Sequence, residues 1–150
     1  MLKRLLHGVF GAGRLPGDNR PNLEAEGFEF LEEGVWGSIT YINYRAPGRW
    51  SNWRREWFLG AIALTSRRII SYVWSQRMLD IPYAHPSLAA VGFSLDAPET
   101  FCARFDASSF HQDRSGTIEL RYFTPEATRI IELLQQRGKG AATYNHHDQG

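Results

Sequence analysis

The chain has 150 residues, 43% hydrophobic and 22% charged, with a formal net charge of +1. That composition suits one globular domain with enough apolar side chains for a buried core. A single cysteine, Cys102, excludes an internal disulfide framework and a zinc site built from cysteines alone.

No run reaches the roughly 18 to 20 apolar residues that cross a bilayer. The expected setting is a cytoplasmic, reducing compartment, with peripheral association at a membrane surface as its extension. The opening "MLKRLLHGVFGAGRLPG" sets Lys3 and Arg4 before a short apolar run. His7, the glycines and Arg14 interrupt that run and no small-residue cleavage site follows, so secretion is not expected. No glycine follows Met1 and the C-terminus shows no prenylation box, so neither myristoylation nor prenylation is expected. Residues 1–27 read as an irregular or partly helical lead-in, whose basic stretch from Leu2 to Leu15 is a candidate second contact.

From Phe28 onward β-branched and aromatic residues dominate. "FEFLEEG" reads as a short strand ending at Gly34, and "VWGSITYINYR" as a longer one closed by Ala46-Pro47-Gly48. The apolar run Trp57 to Leu64 predicts a buried strand, and "RRIISYVWSQ" alternates after it. "RMLDIPY" carries Pro82, which marks a strand end or an edge. "LAAVGFSL" predicts another short strand. In "TFCARFDAS", Phe101, Ala103, Phe105 and Ala107 share a face opposite Cys102, Arg104 and Asp106. "GTIELRYF" aligns Ile118, Leu120 and Tyr122. The spacing predicts about seven strands, as in a barrel or sandwich.

The period then changes. "TPEATRIIELLQQRG" predicts an α-helix with Thr124 as N-cap, Pro125 at the first helical position and Glu126 near the positive end of the dipole. Ala127, Ile130, Ile131 and Leu134 form its apolar stripe, and Arg137-Gly138 its stop. The tail 139–150 is expected to be disordered, with His146-His147 a solvated pair rather than a metal site.

A β-rich run closed by one amphipathic helix resembles the pleckstrin-homology-like (PH-like) superfamily, and two motifs sharpen the resemblance. Leu64-Thr65-Ser66-Arg67-Arg68-Ile69-Ile70 is similar to the central hairpin of GRAM and bacterial PH-like domains. "MLDIPYAHPSLAAV" is similar to the segment that follows it there. The resemblance covers roughly residues 28–137. It implies a mainly β, PH-like seven-stranded barrel of two near-orthogonal antiparallel sheets, capped by the C-terminal helix, over residues 28–138. Ile130, Ile131 and Leu134 would plug the open corner of such a barrel.

Charge and aromatic residues concentrate in one place. Residues 45–77 hold seven arginines against one acid, Glu56, a net of +6 that leaves −5 for the rest of the chain. "PGRWSNWRREW" adds three tryptophans. In PH-like domains the loop between the first two strands supplies basic ligands for phosphorylated lipid head groups. The resemblance therefore points to Arg45, Arg49, Trp50, Trp53, Arg54 and Arg55. The family's phosphoinositide signature, however, has two basic residues flanking one other in the second strand. Arg54 and Arg55 are adjacent, so within a strand they would point oppositely. Diffuse attraction to anionic lipid, about 1 kcal/mol per basic residue, does not need that signature.

Four readings of this segment compete. Trp50, Trp53 and Trp57 lie at i, i+3 and i+7, so a helical turn would bury all three in the core, which ranks first because large aromatics pack. A protein partner follows, then an anionic membrane surface, and single-stranded nucleic acid last. A homo-oligomer is left open.

An enzyme is the rival from another class. His85 and His111 are its candidate bases, with Asp106, Ser108 and Ser109 near His111 in sequence, but both histidines sit in turn-like contexts without diagnostic partner spacing. No phosphate-binding glycine loop, zinc signature or cofactor motif appears. The expectation is a non-catalytic binding module without cofactor.

Overall fold

The computed structural model describes residues 13–17 and 20–137. Most of the Leu2 to Leu15 stretch and all of the tail 139–150 lie outside the described residues. The elements in chain order are α1 (Arg20–Glu26), β1 (Phe28–Ala46), β2 (Arg49–Thr65), β3 (Arg68–Val73), β4 (Gln76–Pro82), β5 (Gly92–Ala97), β6 (Thr100–Asp106), β7 (Ser115–Phe123) and α2 (Ala127–Gln136). Two single-turn 3-10 helices, Pro86–Ala90 and Ala107–Ser109, interrupt the strands.

The fold is mainly β, as expected, with a C-terminal helix. Its strands pair antiparallel in one seven-stranded sheet ordered β4-β3-β2-β1-β7-β6-β5. Its edges are β4 and β5, and the seven strands form one sheet that does not close into a barrel. A second correction concerns β1, which runs unbroken where two strands were expected. Gly34 takes φ +71 and donates its N–H to the Gly13 carbonyl at 2.8 Å, so the chain bends there without leaving the strand. In "LAAVGFSL" the opposite happens: the first residues form the 3-10 turn and pairing starts only at Gly92.

The chain divides into two compact units, one from Met1–Trp36 and Phe58–His85, the other from Gly37–Trp57 and Pro86–Gly150. In the first unit, Leu15, Leu23, Ala61, Ala63, Ile70 and Tyr72 form a core that Phe28 and Leu31 pack against. Alternation lets β2 bury both faces here, because α1 and the Gly13–Leu15 stretch cover the side that would otherwise meet water. Ionic contacts bolt α1 to the β2–β3 turn. Arg68 bridges Glu26 and Asp80, and Thr65 donates its hydroxyl to Glu26 at 2.7 Å.

In the second unit, α2 buries Ala127, Ile130, Ile131, Leu133 and Leu134 and packs on β5 and β6. Phe101, Ala103 and Phe105 face inward as the alternation predicts, with Phe93 stacked on Phe101 at 5.8 Å. At about 1.5 to 3 kcal/mol per fully buried large side chain, this helix face is a main stabilising contact of the unit. Thr124 caps the approach by accepting the Glu126 N–H at 2.9 Å, while the regular helix begins at Ala127, two residues beyond the expected start.

Gly116 meets a steric limit. It holds φ +102, and a Cβ there would lie 2.4 Å from the Asn43 carbonyl oxygen. Gly116→Ala is expected to cost at least about 1–3 kcal/mol in urea unfolding, since both backbone strain and a clash result. A midpoint equal to wild type would remove this account.

Glu26 supplies a pH dependence. Burial pushes its carboxyl up, but hydrogen bonds from Arg68 and Thr65, with the charges of Arg68 and Arg67, outweigh burial and hold it below the usual glutamate range. Its stabilising contribution is therefore complete above the unfolded-state value and is lost as pH falls through the lower folded one. The urea midpoint of Glu26→Gln is expected to lie below wild type at neutral pH and to converge on it in acid. A gap independent of pH would sink the assignment.

Candidate functional site: an arginine and tryptophan ribbon

Strands β1 and β2 meet at the Pro47-Gly48 turn, where Gly48 takes φ +76. Around this turn the sequence places Asn43, Arg45, Arg49, Trp50, Asn52, Trp53, Arg55, Glu56 and Trp57, and every one of them is exposed. The expected loop is instead strand, because β2 starts at Arg49 and continues to Thr65. The helical turn that would have buried the tryptophans therefore does not form. Trp50, Trp53 and Trp57 are 62%, 59% and 59% exposed, which overturns the core reading. Trp36 and Trp74 are exposed as well, so all five tryptophans of the chain face outward.

Three arginines of the ribbon lie on aromatic rings. Arg45 sits over Trp50 at 4.9 Å, Arg54 over Tyr41 at 4.6 Å, and Arg55 over Trp53 at 5.2 Å. Each contact is worth about 0.5–1 kcal/mol at an exposed position, enough to bias a long side chain toward one orientation. Arg55 also donates from Nε to the Thr40 hydroxyl at 3.1 Å, while Arg54 pairs with Glu56 at 3.2 Å. Thr40 and Tyr41 are neighbours on β1 and so face opposite sides. Arg54 and Arg55 therefore point oppositely, as their adjacency implied.

Among the described residues Arg45, Arg49 and Arg55 have no carboxylate partner, and Arg54 alone in the ribbon has one. Of the further basic residues up to Arg77, Arg68 is tied to Glu26 and Asp80, and Arg77 to Asp80, within the first unit. Tyr41 stays protonated, its hydroxyl pushed up by burial and by Glu56 against the opposing pull of Arg54 and Arg49.

The side bearing Arg55 continues across the sheet. Thr40 pairs with Glu119 and Glu119 with Arg104, while Ser38 pairs with Arg121 and Arg121 with Cys102. Glu119 is buried between Arg104 at 2.6 Å and Arg121 at 2.8 Å, and Arg121 reaches Asp96 as well. Trp57 lies beside Phe123 at 6.0 Å. The alternation that aligns Ile118, Leu120 and Tyr122 also sets Glu119, Arg121 and Phe123 on the opposite face. Tyr41 and Thr40 carried no comparable signal, because their role depends on which β2 residue lies opposite.

Asp106, Ser108, Ser109 and His111 lie on and beside the 3-10 turn Ala107–Ser109. Asp106 accepts both the N–H and the hydroxyl of Ser108, which hold its carboxyl below the usual range. His111 is exposed, its amide donating to Ala107. His85 is exposed in the turn after β4. Cys102 is buried, and burial with help from Asp96 pushes its thiol up to about 12. No group of three or more metal-ligating side chains occurs among the described residues. No helix among them is long and apolar enough to cross a membrane.

No family model, curated protein or solved structure matches this chain.

Five exposed indoles have a direct optical consequence. Intrinsic emission of the native protein is expected near the wavelength of the urea-unfolded chain and fully accessible to acrylamide. A blue-shifted native spectrum with a protected fraction would contradict the exposure described here.

Proposed function

We propose that the protein is a non-catalytic PH/GRAM-like binding module whose β1–β2 ribbon docks on an anionic membrane surface. The strand order supports the fold: a β1–β4 meander and a β5–β7 meander share β1, and a buried amphipathic helix follows. In a PH-like arrangement these meanders form two near-orthogonal sheets.

One observation carries the function: three arginines without a carboxylate partner among the described residues and three exposed tryptophans occupy a single two-stranded ribbon. Arginine offers a planar fork of donors to phosphate, and indole prefers the water–lipid boundary. A lipid surface is favoured over a protein partner because exposed indoles and guanidinium groups without a carboxylate among the described residues occur together, and an anionic head-group layer offers both an apolar boundary and negative charge. The opposite directions of Arg54 and Arg55 argue against a single convergent phosphoinositide pocket.

Vesicle sedimentation tests this reading. The wild type is expected to pellet with anionic vesicles and to be released by salt. The Arg45/Arg49/Arg55→Ala variant should bind about 100-fold more weakly, from roughly 1 kcal/mol per arginine. Binding indifferent to lipid charge and to those arginines sinks the membrane reading. Capture of single-stranded oligonucleotides, or of a protein partner lost in Trp53→Ala, without vesicle binding would reassign the ribbon.

A further inference from the structure

A strand whose neighbour stops short leaves main-chain donors and acceptors open, and β2 is such a strand. Its pairing with β3 begins at Gly60, opposite Val73, where the Trp74 N–H donates to the Leu59 carbonyl at 2.9 Å. β2 itself starts at Arg49. From Arg49 to Trp57, within the second unit, β1 is its one strand neighbour among the described residues, and the opposite edge is unpaired. In an antiparallel strand the N–H and C=O of a residue share an edge, and that edge alternates along the chain. Arg45 against Trp50 and Thr40 against Arg55 keep one register, so no bulge resets the alternation. Counting back from Leu59, the main-chain groups of Trp57, Arg55, Trp53 and Ser51 point to the open edge.

The other sheet edges are blunted. β4 ends in Pro82, and β5 is short and shifts register between Leu95 and Ala97. The open part of β2 has neither proline nor glycine, and its guard is charge. Arg49 and Arg55, with Arg45 across the hairpin, have no carboxylate partner among the described residues. Glu56, the single acid of the stretch, is paired with Arg54. A second copy of this strand would bring two basic ribbons together, and like charges across a strand pair destabilise it. An acidic strand meets the opposite condition, so the same arginines that exclude one partner admit the other. Exposed Trp50, Trp53 and Trp57 offer cross-strand contact to apolar side chains of the added strand.

We propose that the open edge of β2 accepts an extended acidic segment of a partner protein, which pairs with it as an added strand. Main-chain bonds to Ser51, Trp53, Arg55 and Trp57 hold the segment, and the arginines select its charge. This goes beyond the membrane reading, which uses the side chains of the ribbon and not its main chain.

The test uses the full chain and a synthetic peptide of about ten residues that alternates glutamate with valine and threonine. Tryptophan emission is expected to report saturable binding of this peptide and none of its lysine-for-glutamate counterpart. Amide exchange at Ser51, Trp53, Arg55 and Trp57 should slow at least about tenfold in the complex, because each gains an acceptor or a covered edge. The Arg45/Arg49/Arg55→Ala variant should bind the acidic peptide at least about tenfold more weakly. No binding, or binding that leaves those four amides unprotected, overturns the proposal, and so does equal affinity for the lysine peptide. If anionic vesicles bind and the acidic peptide does not, this proposal alone fails. If the peptide binds with protection and vesicles do not, the membrane reading fails and the added strand stands.

Discussion

Strand β1 is hydrogen-bonded along both edges, to β2 on one side and β7 on the other, and the rest of the structure depends on that double pairing. A strand so placed has no freedom in register, since a slip of one residue would turn every side chain to the wrong face. Two left-handed residues adjust it locally. Gly34 bends it beside Gly13, and Asn43, at φ +52, sits where the pairing with β7 shifts between Ile42 and Arg45. Asparagine tolerates that conformation better than most residues, and Gly116 leaves room for the Asn43 carbonyl. The ribbon beyond the shift is therefore set by the same strand that organises the sheet.

The arginines show how context decides what a charge does. Arg68 is spent on structure: with two carboxylates and a hydroxyl nearby, it ties a helix to a turn. Its guanidinium is made more basic chiefly by its hydrogen bond to Glu26, against the opposing effect of burial. Isolated surface ion pairs contribute little, but a shared network around a part-buried arginine is a better case. Arg45 and Arg55 have rings instead of acids. A ring orients the guanidinium and lowers the entropy lost on binding, yet leaves the positive charge uncancelled. An arginine on a ring is pre-positioned for an anion that comes from elsewhere.

Much of the fold was legible because alternation and helical period are local signals. The stripe Ala127, Ile130, Ile131 and Leu134 is buried as read, and the Phe101-Ala103-Phe105 face turns inward. Errors arose where local and tertiary signals diverge. Gly34 reads as a terminator but serves as a bend within one strand, because Gly13 supplies a hydrogen-bond partner that no window around Gly34 contains. Trp50, Trp53 and Trp57 fit a helical spacing as well as a strand. The choice between them comes from hairpin pairing with β1, which extends β2 to the Pro47-Gly48 turn. The opposite directions of Arg54 and Arg55 followed from adjacency alone; their partners, Tyr41 and Thr40, required the register.

Exposure of every tryptophan in a 150-residue chain runs against the tendency of large aromatics to be buried. Other large side chains fill the interior: Phe58 in the first unit and Phe93, Phe101 and Tyr122 in the second are fully buried. Burying an indole would also require a partner for its N–H, which phenylalanine does not. The outer side of the second unit is equally settled: Glu119 is satisfied by two arginines, and Cys102 is sealed beneath them as a neutral thiol. At the surface, indoles lie in water, and Arg45, Arg49 and Arg55 have no carboxylate partner among the described residues. A partner that offers both an apolar boundary and negative charge satisfies both kinds of group at once, and the interface of an anionic bilayer is such a partner.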